Sequence, residues 1–211
     1  MDQSFWYQRW EKHEIAFHQG MANPLLVKHF RELSLAKGSR VFVPLCGKTL
    51  DISWLLSHGY RVAGAELSQV AIEQLFMELG LQPDISIVGE VEQWSAKNLD
   101  IFIGDIFVVS RKMLGPVAAT YDRAALVAFP EEMRNRYTAH LTEITGKAPQ
   151  LLICYDYDQR LMEGPPFSVA SEEVTRHYGA NYAVTLLENT DVAGGLKGKC
   201  PARENVWLLQ K

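Results

Sequence analysis

Glu66, Asp105 and Arg123 each follow a short apolar, β-branched run, and Gly47 follows another. The run Arg40 to Pro44 leads into Leu45-Cys46-Gly47-Lys48-Thr49, and the run Arg61 to Glu66 ends on its acid nineteen positions after Gly47. That interval is close to the roughly 20 residues at which a carboxylate beyond a second parallel strand accepts hydrogen bonds from ribose hydroxyls. The pattern suits any adenosine-containing cofactor. A glutamate there can also simply cap the helix that Ser68 opens. Asp105, in Gly104-Asp105-Ile106-Phe107, can meet the amino edge of an adenine beside apolar walls, or be a solvated turn residue. Arg123 can form a bidentate pair with a carboxylate ligand, or an internal ion pair with Asp122.

Other nucleotide chemistries fit less well. Gly47-Lys48-Thr49 has the ending of a phosphate-binding loop, but that motif needs glycine five residues before Gly47, where Phe42 stands. A dinucleotide fingerprint needs three glycines, and only Gly47 is present. This argues against the main alternative from another class, a nicotinamide-dependent oxidoreductase. Cys46 reads as a nucleophile or as a buried structural thiol; with no histidine or aspartate paired to it in the motif, the structural reading is favoured.

The elements that must position these residues alternate between strand and helix, which predicts a parallel sheet with helices on both faces. Strands are expected at 40–44, 61–66, 85–88, 99–103, 118–122 and 151–155, with 183–188 and 205–210 as a closing antiparallel hairpin at one sheet edge. Helices are expected at 49–58, from Ser68 to about Leu79, at 130–145 and at 171–178. Before the first strand, Phe5, Trp6, Arg9 and Trp10 recur at helical spacing, predicting a helix over 3–13. Asn23-Pro24 looks like an N-cap followed by proline at the first helical position, opening a helix to about Phe30.

The chain has 211 residues, 47% hydrophobic and 22% charged, with a net charge of −4. This is one globular core, spanning 1–211, with 1–35 as an N-terminal extension. No basic field favours nucleic acid, and no apolar run approaches a membrane span. Three scattered cysteines suggest neither a disulfide framework nor a zinc site. With no apolar leader at the N-terminus, the expectation is a cytoplasmic monomer without a bound metal.

Phe17-His18-Gln19, Val43 to Lys48 (VPLCGK), Val62 to Ser68 (VAGAELS), Tyr121 to Ala128 (YDRAALVA) and Gly164 to Phe167 (GPPF) together resemble the thiopurine S-methyltransferases, in particular the shorter bacterial members. The likeness runs from Phe5 to about Leu209. It implies a Rossmann-like class I methyltransferase fold, with a mostly parallel seven-stranded sheet and an N-terminal helical lid over the cofactor. The cofactor would be S-adenosyl-L-methionine. By the same resemblance, Trp10, Leu45, Glu66 and Arg123 contact it, and Asp105 and Ile106 flank its adenine. Phe17, His18 and Phe167 wall the pocket of a small thiol or selenol acceptor, and Arg123 doubles as the group that stabilises the acceptor's anion. Each also has a structural reading, Trp10 as core, His18 as a turn cap and the 164–167 segment as a rigid loop. A relative that binds the cofactor without catalysis is a further alternative. The second arginine that the resemblance leads one to expect is absent from 191–199, where Lys197 and Lys199 stand.

Overall fold

In the computed structural model, which describes residues 3–12, 14 and 19–211, α1 (Gln3–Glu11) precedes α2 (Pro24–His29). Asn23 starts α2 by accepting the Leu25 and Leu26 amides at 2.9 and 3.2 Å, with Pro24 at the first helical position. A 3₁₀ turn, Phe30–Leu33, carries the helical path beyond the expected end.

The strand–helix alternation then begins. β1 (Arg40–Pro44) is followed by α3 (Leu50–Ser57), and β2 (Arg61–Glu66) by α4 (Gln69–Leu79). Thr49 and Ser68 cap these helices through their hydroxyls, and Gly80 ends α4 in the left-handed region at φ 65°. β3 (Asp84–Val88), β4 (Val91–Ala96) and β5 (Leu99–Ile103) form a meander. A short α5 (Arg111–Leu114) leads to β6 (Ala119–Arg123), α6 (Glu131–Ile144), β7 (Gln150–Asp156) and α7 (Ser171–Tyr178). β8 (Ala183–Asp191) and β9 (Arg203–Gln210) close the sheet as the expected antiparallel hairpin.

The strand order is β3-β4-β5-β2-β1-β6-β7-β9-β8. Its centre, β5-β2-β1-β6-β7, is parallel, and an antiparallel pair flanks each side. Among the described residues the sheet therefore has nine strands, against the seven implied by the resemblance and the eight segments expected from the residue pattern. β3 was expected at 85–88, and the strand that no pattern announced is β4, whose sequence, Val91-Glu92-Gln93-Trp94-Ser95-Ala96, buries only Val91 and Trp94. Such sparse apolar content hides a strand from pattern reading.

Alternate residues of the central strands feed two cores, as a sheet covered on both faces requires. Val41, Val43, Val62, Ile101, Leu151 and Ile153 meet Leu26, Ile52, Leu55, Ile72 and Leu75 of the helices on one face. Phe42, Ala63, Phe102, Leu152 and Cys154 meet Tyr137, Leu141, Val174 and Tyr178 on the other. Among the described residues, no helix is long and apolar enough to cross a membrane.

Candidate functional site

The strand order sets the site. Parallel neighbours β5, β2, β1 and β6 end side by side, so Asp105, Glu66, Leu45 and Arg123 line one sheet edge. This is where an open α/β sheet binds ligands.

At the centre is the turn after β1. Leu45 and Gly47 are both left-handed, at φ 46° and 50°. A leucine there is strained by about 1–2 kcal/mol, and such strain concentrates at functional turns. The turn is held from below by the Cys46 amide donating to Ala65 O at 3.0 Å. Gly47 has a second reason to lack a side chain: an added Cβ would lie 3.0 Å from Cζ2 of Trp10. The Trp10 indole, only 3% exposed, thus lies against this turn and brings α1 to the sheet edge.

Glu66, 7% exposed, ties two turns together. One carboxylate oxygen accepts the Gly47 amide at 2.8 Å and the other the Ser68 amide at 2.9 Å. The cap of α4 is the Ser68 hydroxyl, which accepts the Ala71 amide, so capping does not explain Glu66. Burial pushes the Glu66 carboxyl up, opposed by the amides of Ser68, Gly47 and Leu67. Cys46 packs beneath, where a Cβ on Gly64 would come within 2.8 Å of its sulfur. Burial, then the Glu66 charge, drives its thiol well above the ordinary range. It is a structural thiol.

On the β5 side, Gly104 donates to Glu66 O at 2.9 Å. Asp105 accepts the Phe107 amide at 3.0 Å, opening a 3₁₀ turn that buries Ile106. His140 fixes this turn through its Nε2, 2.8 Å from Ile106 O.

On the β6 side, the neighbours Asp122 and Arg123 part company. Asp122 is fully buried and accepts the Tyr137 hydroxyl at 2.7 Å and the Leu126 amide at 3.1 Å. Burial raises its pKa to about 6. No ion pair joins Asp122 to Arg123, and the charge of half-buried Arg123 acts instead on Tyr155 and Glu204, lowering the pKa of each. Neither partner was singled out in the sequence; the β7–β9 register that pairs them has no local signal. Nearby, Asp51 accepts the Tyr121 hydroxyl at 3.0 Å and the Asn23 amide at 2.7 Å, pinning the chain before α2 to the sheet.

Phe167 lies beyond this edge. Its amide donates to Val127 O at 2.7 Å, and its ring packs where a Gly164 side chain would be. Lys197 Nζ donates to Pro165 O at 2.8 Å, joining the 191–199 linker to the 164–167 loop. Its ammonium is destabilised by burial, then by the charges of Arg9 and Lys199. The two expected wall residues Phe17 and His18 lie outside the described residues. Cavities of about 610 and 450 Å³ flank the 191–203 linker and the α6–α7 groove, and none of the expected site residues among those described lines either.

The thiopurine S-methyltransferase (TPMT) family model matches residues 1–211. The thiopurine S-methyltransferase of Xanthobacter autotrophicus is 56% identical over 212 residues, covering 100% of both chains. That of Teredinibacter turnerae is 49% identical over 211 residues, covering 100% of this chain and 98% of its own. Among solved structures, an Anabaena variabilis S-adenosylmethionine-dependent methyltransferase superposes with a TM-score of 0.63 at 16% identity, over 99% and 95% of the chains. A Burkholderia thailandensis 1,6-didemethyltoxoflavin-N1-methyltransferase gives 0.67 at 11%, over 99% and 87%. At such identities these two establish the fold, which is the Rossmann-like class I methyltransferase fold.

Proposed function

The chain belongs to the thiopurine S-methyltransferase family, whose members are S-adenosylmethionine-dependent enzymes, and from that premise we propose how its own residues divide the work of methylating sulfur on a small acceptor. The observation that carries the division is the doubly anchored Glu66 carboxylate at the β1–β2 edge.

The chain's donor set fits an adenosyl group. A carboxylate offers about four lone-pair sites, and the two backbone amides take one on each oxygen, leaving each free to accept a ribose hydroxyl. Trp10 covers the same turn from α1, Leu45 lines it, and Asp105 with Ile106 flanks the adenine edge. In this reading 1–35 is a lid and 1–211 one catalytic domain acting as a monomer. When bound, S-adenosylmethionine would supply a sulfonium methyl group for transfer in line to the acceptor sulfur, with S-adenosylhomocysteine as the leaving group.

The protein's part in such a step is alignment and exclusion of water, where proximity supplies much of the acceleration. Arg123 meets either the methionine carboxylate or the acceptor's anion. Its cation favours the thiolate form of a thiol beside it, and guanidinium geometry suits both partners. Phe167, with Phe17 and His18 of the N-terminal segment, walls the acceptor side.

The test has two parts. S-adenosylhomocysteine at about 100 times its Kd should stabilise the protein by about 2.7 kcal/mol in denaturant titrations. Labelled methyl should then pass from the donor to aromatic thiols, thiopurines or selenols. Absence of stabilisation at saturating ligand refutes the donor half. Binding without transfer to any chalcogen acceptor refutes the acceptor half.

A further inference from the structure

The displacement needs a thiolate, yet an ordinary thiol with a pKa of about 8.5 is mostly protonated at neutral pH, and a guanidinium cannot take the proton. Most carboxylates at the sheet edge are committed elsewhere. Glu66 holds Gly47 and Ser68, Asp122 is turned to Tyr137, and Asp51 is shared by Tyr121 and Asn23. Asp105 sits on the β5 side, with β2 and β1 between it and β6.

Glu204 is different. Arg123 lies opposite Ile153 in the β6–β7 register, Tyr155 is two residues further on, and Glu204 is directly opposite Tyr155 on β9. Side chains two apart and directly opposed share a face, so Arg123, Tyr155 and Glu204 crown the apolar patch of Tyr121, Ile153 and Val206. All three are half-buried. Tyr155 on β7 lies between the two charged residues, and both act on its hydroxyl, Glu204 raising its pKa and Arg123 lowering it. A tyrosine oxygen can only accept from a guanidinium, which leaves the O–H to be donated toward the Glu204 carboxylate. Other groups acting here are Tyr121 with its partner Asp51, and uncharged Thr190 beside Glu204 on β8. Arg203 and Asp156, next along their strands, point to the other face, and Arg203 is paired with Asp191. Burial raises Glu204, which makes it a stronger base than a free glutamate.

We propose that Tyr155 and Glu204 receive the acceptor's proton. The thiol proton passes to the Tyr155 oxygen as the Tyr155 proton passes to the Glu204 carboxylate, and Arg123 steadies the thiolate left behind. After methyl transfer Glu204 returns its proton to solvent through the same chain. The inference rests on the reading of β6 and β7 as the acceptor side.

Glu204→Gln and Tyr155→Phe test it with two acceptors, an alkyl thiol protonated at pH 7 and an aromatic thiol already ionised there. Both variants should keep the S-adenosylhomocysteine stabilisation of the parent. On the alkyl thiol kcat should fall about 100-fold, the usual scale of a lost proton-transfer group, and the acid limb of the kcat/KM–pH profile should vanish in Glu204→Gln. On the ionised thiol the loss should shrink to a few-fold. Equal losses on both acceptors, or none on either, overturn the proposal. Should a variant fail to fold, the parent answers alone: a solvent deuterium isotope effect on the alkyl thiol that disappears with the ionised one is expected, and identical effects overturn it. A parent that binds S-adenosylhomocysteine but methylates neither thiol overturns the underlying reading as well, a distinct result.

Discussion

Replacing Asp122 by asparagine tests the electrostatics beneath the site. The carboxyl is fully buried and its pKa rises from 3.8 to about 6, chiefly through burial, which the Tyr137 hydroxyl and the Leu126 and Ala125 amides only partly offset. A raised carboxyl pKa means that folding prefers the protonated form. Stability from this group is therefore fully present below the unfolded value near 4 and is lost as pH rises through about 6. A shift of this size corresponds to about 3 kcal/mol. The substituted amide does not titrate, so that loss disappears in the variant. Urea midpoints for parent and Asp122→Asn should be measured from about pH 4 to pH 7.5 and converted with a common m value. Other groups contribute to both proteins, and subtraction removes them. The variant's stability relative to the parent should climb by about 3 kcal/mol across the window, whatever its absolute offset at the acid end. A difference that stays level or falls with pH refutes the assignment of a desolvated, reluctantly ionised carboxylate.

Three further outcomes probe the donor side. Glu66→Gln sets an amide NH₂ against a backbone N–H at Gly47 or Ser68; losing charge-assisted bonds worth about 1.5–3 kcal/mol should weaken S-adenosylhomocysteine binding about 10- to 100-fold by calorimetry, and unchanged affinity would remove Glu66 from the cofactor site. Trp10→Ala empties the place against Gly47, so S-adenosylhomocysteine should slow tryptic cleavage at Arg9 and Lys12 in the parent and much less in the variant; equal protection of both would sink the lid. Gly47→Ala must carry a side chain at φ 50° and 3.0 Å from Trp10, and a thermal midpoint within error of the parent would contradict the close approach, whose backbone term alone is about 1–2 kcal/mol.

The proposed donor half of this site was legible in the sequence because its residues sit at local signals. Asn23, Thr49 and Ser68 announce helix starts by side-chain chemistry, the β-branched runs announce buried strands, and a fixed interval joins Gly47 to Glu66. The resemblance to a family then supplied Trp10, which no periodicity distinguishes from a core tryptophan. What escaped notice was set by pairing at long range. β4 shows only two buried side chains. The Tyr155–Glu204 pair depends on the register of two strands that lie far apart in the chain. The fate of Asp122 depends on Tyr137 reaching it from α6, so its separation from Arg123 could not be read from their adjacency.

The contrast between the halves also bears on acceptor recognition. Lys197 stands in the linker where a second arginine was expected, but its ammonium is spent in part on Pro165 O and is disfavoured by burial and by Arg9 and Lys199. It straps the linker to the 164–167 loop, and as a compact point charge it cannot offer a planar fork to an acceptor. In the proposed division, recognition of an anionic acceptor falls on Arg123, with Tyr155 and Glu204 as its neighbours on the next two strands. A donor site of the proposed kind, made of backbone amides and one carboxylate, reads the same adenosyl group whatever the loops do. An acceptor site made of one arginine, a loop and a lid can change its substrate by changing residues around that arginine, and the methyl donor stays the same.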